Sequence, residues 1–146
     1  MKAEVVTTPE QLEQGLAVRK AVFVQEQGVS VELEVDEYDA APDRCVHFLL
    51  RNSNGEAIGA SRMKRFDAES AKLQRIAVLR PWRGKGLGRI IVEEMEQRAK
   101  SDGYKYAVLD AQVQAVPFYA KQGYEVISEE PFYDAGIEHV RMRKRL

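Results

Sequence analysis

Between Arg80 and Arg89 the chain reads RPWRGKGLGR, with three glycines and four basic residues in ten positions. Residues of these types at this density can hold an anion. Glycine lets the backbone approach a ligand and take conformations that a side chain forbids, and Arg83, Lys85 and Arg89 add positive charge around the turn formed by Gly84, Gly86, Leu87 and Gly88. A nucleotide P-loop is excluded, because GKGLGRI lacks the Gly-Lys-Ser/Thr ending such a loop requires. A dinucleotide fingerprint starting at Gly84 and Gly86 needs a third glycine where this chain has Arg89. The pattern that remains is Arg/Gln-x-x-Gly-x-Gly, carried by Arg83, Gly86 and Gly88.

Charge is unevenly spread along the 146 residues although the net charge is only −1. From Glu26 to Asp43 there are acids (Glu26, Glu32, Glu34, Asp36, Glu37, Asp39, Asp43) and no Lys or Arg. From Arg62 to Arg89 the balance reverses, with only Asp67 and Glu69 set against a run of cations. Two arrangements fit: one cleft with a cation-attracting and an anion-attracting end, or two unrelated solvated faces. Near-zero net charge, and only Phe66 and Trp82 as aromatics within the basic region, argue against a nucleic-acid surface. Cys45 is the only cysteine and sits beside an apolar run, which reads as a small buried hydrophobe; no Cys/His spacing suits a metal. His47, on a strand, reads as structural. The N-terminus lacks a secretory leader and no apolar run is long enough to span a bilayer, so a cytoplasmic protein with no membrane partner is expected.

The elements that must position these groups follow from periodicity. Thr8, Pro9 and Gln11 read as a capping box opening a helix that ends near Gly28, with Leu12, Leu16, Val18, Val22 and Phe23 as its apolar stripe. The acidic stretch that follows reads as a loop or a short second helix. CVHFLLR, the turn NSNG and EAIGASRMKRF read as a hairpin, and KLQRIAVL as a third strand. From Gly86 the period becomes helical, with Leu87, Ile90, Ile91, Met95 and Ala99 on one face and Gly103 as a C-terminal cap. The glycine cluster therefore joins a strand to a helix N-terminus, where unpaired N–H groups and the helix dipole favour an anion. YKYAVLDAQ then reads as a strand, VPFYAKQG as a short helix with Phe118 in the core, and YEVIS and HVRMRKR as strands. The order is α, three β, α, β, α, β, β in one domain over residues 1–146. The expected class is α/β (α+β): a central mixed, mostly antiparallel twisted sheet with helices on both faces.

With Arg83, Gly86 and Gly88 in place, LQRIAVLRPWRGKGLGRIIVEEME and LDAQVQAVPFYAKQGYEV resemble the core of the GNAT superfamily of acetyl-CoA-dependent N-acetyltransferases. RKAVFVQEQGVSVELEVDEYD and DAGIEHVRM resemble its ElaA/YjcF-type branch. The resemblance implies that coenzyme A lays its pyrophosphate on the turn from Arg83 to Arg89, that its pantetheine arm pairs with the edge of Ile76, Ala77 and Val78, and that a backbone N–H near Val78 faces the thioester oxygen. It also implies Tyr119 as the acid that protonates the leaving thiolate, and Gln112 as a contact to the pantetheine arm. Phe23, Glu26, Asp36 and His139 are expected around the acceptor. The base stays open among Glu26, Glu34, Asp36, Asp110 and His139, directly or through water. The expected partner is a small-molecule or peptide amine, in a monomer or homodimer; an acyl-CoA sensor without chemistry is the alternative.

Overall fold

Thr8 Oγ1 accepts a hydrogen bond from the Gln11 N–H at 3.2 Å while Gln11 Oε1 accepts one from the Thr8 N–H at 3.1 Å, so the capping box forms as its residue types dictate. In the computed structural model, which describes residues 1–146, α1 (Pro9–Arg19) starts at this cap. It does not run to Gly28 as one α-helix. From Lys20 to Glu26 it widens into a π-helix, with the Gln27 N–H donating to the Val22 carbonyl. Val18 and Val22 stay buried, four apart, so the apolar stripe gives no sign of the widening. The wider turn carries Phe23 and Gln27 onto the wall of a cavity.

The chain continues through a one-turn α2 (Val31–Glu34) into β2 (Val46–Arg51), β3 (Ala57–Arg65) and β4 (Ser70–Val78). After the glycine turn come α3 (Leu87–Ser101), β5 (Tyr106–Gln112), α4 (Val116–Ala120), β6 (Glu125–Val126), β7 (Phe132–Asp134) and β8 (Ile137–Arg145). A short β1 (Ala3–Val5) precedes α1. The strands form one sheet in the order β1-β2-β3-β4-β5-β8-β6, with β7 also pairing β8. Only β4 and β5 are parallel; every other pair is antiparallel.

Side chains alternate between the faces of a strand, so register assigns them. Leu73, Leu109, Ala111 and Met142 pack with Leu87, Ile91, Val92, Met95 and Ala99 of α3 in the main core. Lys72, Gln74, Asp110, Gln112, His139 and Arg141 take the opposite parity and point to the face covered by α1 and its extension, where Val18 and Val22 pack on Ala60 and Ala77. Helices thus cover both faces. Phe118 corrects the expectation of a core residue: it is 38 % exposed, and its ring lies over Gly88, where a Cβ would come within 3.1 Å of Cζ. Tyr119, its neighbour, packs against the core instead.

β7 and β8 join through a two-residue turn in which Ala135 (φ 51°) and Gly136 (φ 78°) both have left-handed backbone. Alanine disfavours that conformation by about 1–2 kcal/mol. Ala135→Gly should therefore raise the unfolding free energy by about 0.5–1 kcal/mol after glycine's larger chain entropy is counted. The check is a higher denaturant midpoint at unchanged slope.

Candidate active site

Pairing between β4 and β5 runs from Ser70 opposite Tyr106 to Leu73 opposite Leu109 and stops there, although β4 continues to Val78 and β5 to Gln112. The strands separate. On the β3 side, Ala60 pairs with Ala77 and Arg62 with Gln74, so Arg75 and Ile76 together oppose Ser61 in a bulge where Arg75 has φ 57°. The Leu79 N–H donates to the Ile58 carbonyl at 2.9 Å, and strand alternation then turns the peptide groups of Ile76 and Val78 away from β3 and into the gap. Arg83 Nε donates to the Val78 carbonyl at 2.9 Å, while the Val78 N–H is left facing the opening.

A cavity of about 460 Å³ occupies this gap and reaches both sides of the sheet. Phe23, Leu33, Glu34, Lys72 and His139 line it on the α1 face, and Arg83, Ala115 and Tyr119 on the α3 face. Ile76, Ala77, Val78 and Gln112 form its middle. Gln112 Nε2 donates to Gln27 Oε1 at 2.8 Å, tying the end of β5 to the end of the widened helix.

Arg83 lines this cavity, and the glycine turn follows it in the chain, with Gly84 to Arg89 outside the lining. Gly84 (φ 76°) and Gly86 (φ 78°) are left-handed, and Gly86 is the N-cap of α3 with no side chain capping the helix. The first N–H groups of the helix, from Leu87 to Arg89, are thus available to a ligand. A Cβ at Gly84 or Gly86 would meet no atom of the chain within 4 Å, so both glycines border open space. Leu87 contributes only its backbone, since its side chain is buried in the core.

The cations expected around this turn are mostly committed. Arg83 makes a forked pair with Glu26 (2.8 and 2.6 Å), Arg80 joins it at 2.9 Å, and Arg89 pairs with Glu93 at 2.8 Å; Lys85 lies 6.0 Å over the Trp82 ring. The hydrogen bond from Arg83, helped by Arg80, holds the Glu26 carboxyl below its ordinary range.

Of the acidic segment, Glu32, Glu37 and Asp43 are exposed, whereas Glu26, Glu34, Asp36 and Asp39 pair with arginines from other elements, so that Glu34, the acid of this segment that lines the cavity, is neutralised there. Arg19 bonds Glu34 (3.0 Å) and Asp39 (2.7 and 3.0 Å), Arg62 grips Asp36 in a fork (2.6 and 2.7 Å), and Arg75 reaches Glu34 at 3.1 Å. Most of this network is buried, with Arg19 and Arg62 each 1 % exposed. Glu26 and Asp36, expected at the acceptor, are therefore not brought to the cavity; Phe23 and His139 are. Burial raises Glu34 against the opposing pull of Arg19 and Arg75. Burial works against ionisation of Asp36 and Asp110 too, but hydrogen bonds from Arg62 in one case, and Arg141 and Lys72 in the other, hold both below the usual carboxylate range. Asp110 accepts from Lys72 and Arg141 at 2.8 Å each.

Tyr119 meets Phe118 and Tyr124 edge to face, with centroids 5.0 and 5.9 Å away. Desolvation alone pushes its phenol up to about 12, so it is a persistent proton donor. Cys45 lies outside the cavity, 3.4 Å from His47 Nε2, and burial pushes its thiol up to about 11, which removes it as a nucleophile. His47 is buried with Nε2 2.9 Å from the Tyr38 carbonyl, a structural contact.

Residues 8–146 match the family model described as Acetyltransferase (GNAT) domain. The chain belongs to the GNAT acetyltransferases. It is 43 % identical over 145 residues to the uncharacterized N-acetyltransferase YjcF of Bacillus subtilis, covering 99 % of each chain. Its fold superposes on Escherichia coli ElaA with a TM-score of 0.82 at 25 % identity, over 98 % of both chains. Together these put this GNAT protein in the ElaA/YjcF-type branch, among acetyl-CoA-dependent acyltransferases. A GNAT family acetyltransferase of Elizabethkingia anophelis, solved with acetyl-CoA bound, shares the fold at a TM-score of 0.68 and 19 % identity over 99 % of this chain. No helix is long and apolar enough to cross a membrane.

Proposed function

We propose that residues 1–146 act as one N-acetyltransferase domain that passes the acetyl group of acetyl-CoA directly to a primary amine of a small molecule or peptide. The observation that carries this reading is the gap between β4 and β5, which leads from Arg83, at the start of the glycine turn, past Tyr119 on the α3 face and through the sheet to the α1 face. The acetyl-CoA bound to the Elizabethkingia anophelis neighbour supports the same occupant here. The N–H groups from Arg83 to Arg89 hold the pyrophosphate, and Arg83 exchanges Glu26 for it as the cofactor enters. The open edge of Ile76, Ala77 and Val78 and the amide of Gln112 take the pantetheine arm as an added strand would. The Val78 N–H faces the thioester oxygen, where a fixed donor stabilises the developing oxyanion.

The amine nitrogen attacks the thioester carbon, the C–S bond breaks, and the departing sulfur takes the Tyr119 proton. No acyl-enzyme is needed, and Cys45 is too weak a nucleophile to form one. Because its folded value is raised, Tyr119 stays protonated past the reference phenol value of about 10. The pH profile of kcat should therefore show no descending limb near 10, with Tyr119 ionisation entering only near 12.

The test is formation of amide product from acetyl-CoA and a panel of primary amines: spermidine, tyramine, glucosamine and Nα-acetyl-lysine. Turnover above the uncatalysed rate with any of them supports the enzyme. Tight acetyl-CoA binding without turnover on any amine favours an acyl-CoA sensor.

A further inference from the structure

Of the groups expected to serve as base, the carboxylates of Glu26, Glu34, Asp36 and Asp110 are each held by two cations or by a forked arginine. His139 is not. Its Nδ1 lies 2.7 Å from the Ile137 carbonyl oxygen. A carbonyl can only accept, so Nδ1 carries the hydrogen and the lone pair of the neutral ring is left on Nε2. The ring stacks on Phe132 at 6.2 Å and 20°, which fixes its plane, and only 8 % of the residue is exposed while it lines the cavity.

Register adds a second observation. His139 pairs with Gln112 at the end of β5 and projects from the α1 face of the sheet. Tyr119 packs with the core on the α3 face. Both line the same gap. A thioester carbon held in the gap thus has a proton donor on one side of the sheet and a proton acceptor on the other, the arrangement that acyl transfer requires for leaving group and nucleophile. Charged groups that share the cavity or the strand with His139 are Asp110 with its partners Arg141 and Lys72 on the same face, Glu34 and Arg75 from the buried network, Arg83, Asp134 at the exposed end of β7, and Glu138 beside it in sequence.

We propose that His139, through Nε2, is the general base of the transfer. The inference rests on the acetyltransferase reading above. As the N–C bond forms, the amine nitrogen loses its proton to Nε2; as the C–S bond breaks, the sulfur takes the proton of Tyr119. Solvent then reclaims the proton from His139 and restores that of Tyr119, leaving amide and free thiol.

The experiment uses the full chain and whichever panel amine turns over fastest, reading amide product by mass spectrometry so that acetylation of buffer is not counted. His139→Ala should lower kcat by about a hundredfold or more with acetyl-CoA affinity unchanged. Free imidazole should restore part of the loss in a saturable way. His139→Asn keeps an N–H donor at the Nδ1 position for the Ile137 carbonyl but accepts no proton, so it should fold and bind acetyl-CoA normally and remain slow. Wild-type kcat in either variant, no recovery with imidazole, or weakened acetyl-CoA binding as the main defect would each make His139 a structural residue and overturn the proposal. Absence of turnover by the wild-type protein on every amine would remove the acetyltransferase reading itself, and the base with it.

Discussion

Arg19→Met should lower the unfolding free energy by about 3 kcal/mol, the lower end of the 3–5 kcal/mol range for removing one partner of a buried ion pair. Arg19 donates to Glu34 Oε1, to both oxygens of Asp39 and to the Glu34 carbonyl at 2.7–3.0 Å, and the side chains of Glu34 and Asp39 are 3 % and 0 % exposed. Methionine fills similar volume but leaves two carboxylates buried with less compensation. Arg75 still reaches Glu34 and Arg62 still reaches Asp39, which is why the loss stays near the lower end. Since domains of this kind have about 5–15 kcal/mol in total, such a change should be plain in a urea titration. Arg89→Ala removes an exposed pair with Glu93 and should cost less than about 0.5 kcal/mol. Equal effects of the two substitutions would mean that the buried network does not hold the acidic segment on the sheet.

Tyr119→Phe should reduce kcat by about a hundredfold and leave acetyl-CoA affinity within about twofold, the lower part of the range for general acid catalysis. A phenol raised to about 12 is a weaker acid than the thiol it would protonate in the proposed mechanism, whose reference value is about 8.5. Transfer of its proton to the sulfur is therefore uphill and completes only late in C–S cleavage, after a hydrogen bond that strengthens as the sulfur gains charge, so in the proposed mechanism the effect is graded. Phenylalanine keeps the edge-to-face contacts with Phe118 and Tyr124, so folding should be unaffected. Unchanged kcat under conditions where chemistry limits the rate would remove Tyr119 from the reaction.

The parts of the fold legible in the sequence are those set by local rules. The capping box at Thr8, the β2–β3 hairpin and the switch from strand to helix at the glycine turn each depend on residues within a few positions of one another. β1 and β7 were not legible, because strands of three residues carry no period; they form because β2 and β8 offer them an edge. Nor does sequence distinguish Phe118 from Tyr119 on a five-residue helix, where a small rotation decides which ring meets the core. The segregation of charge is plain in the sequence, but it has a third outcome besides a polarised cleft or two solvated faces. The acidic and basic segments neutralise one another through Asp36 with Arg62, Glu34 with Arg75 and Glu26 with Arg83, contacts spanning 26 to 57 positions. Arg19 did carry a signal, since it falls within the apolar stripe, three residues after Leu16 and three before Val22, where a charged side chain needs buried partners; which carboxylates supply them depends on contacts 15 and 20 positions away.

The glycine turn is tested as a pyrophosphate cradle by calorimetric titration of the folded protein with acetyl-CoA, beside the Gly86→Val variant. Valine at Gly86 would have to adopt a left-handed backbone, at a cost of about 1–2 kcal/mol, and would fill the space beside the open N–H groups of α3. One site per chain with micromolar affinity is expected for the wild-type protein, and at least about tenfold weaker binding for the variant. No binding by the folded wild-type protein, or equal binding by the two, would mean that the turn from Arg83 to Arg89 is not the pyrophosphate cradle.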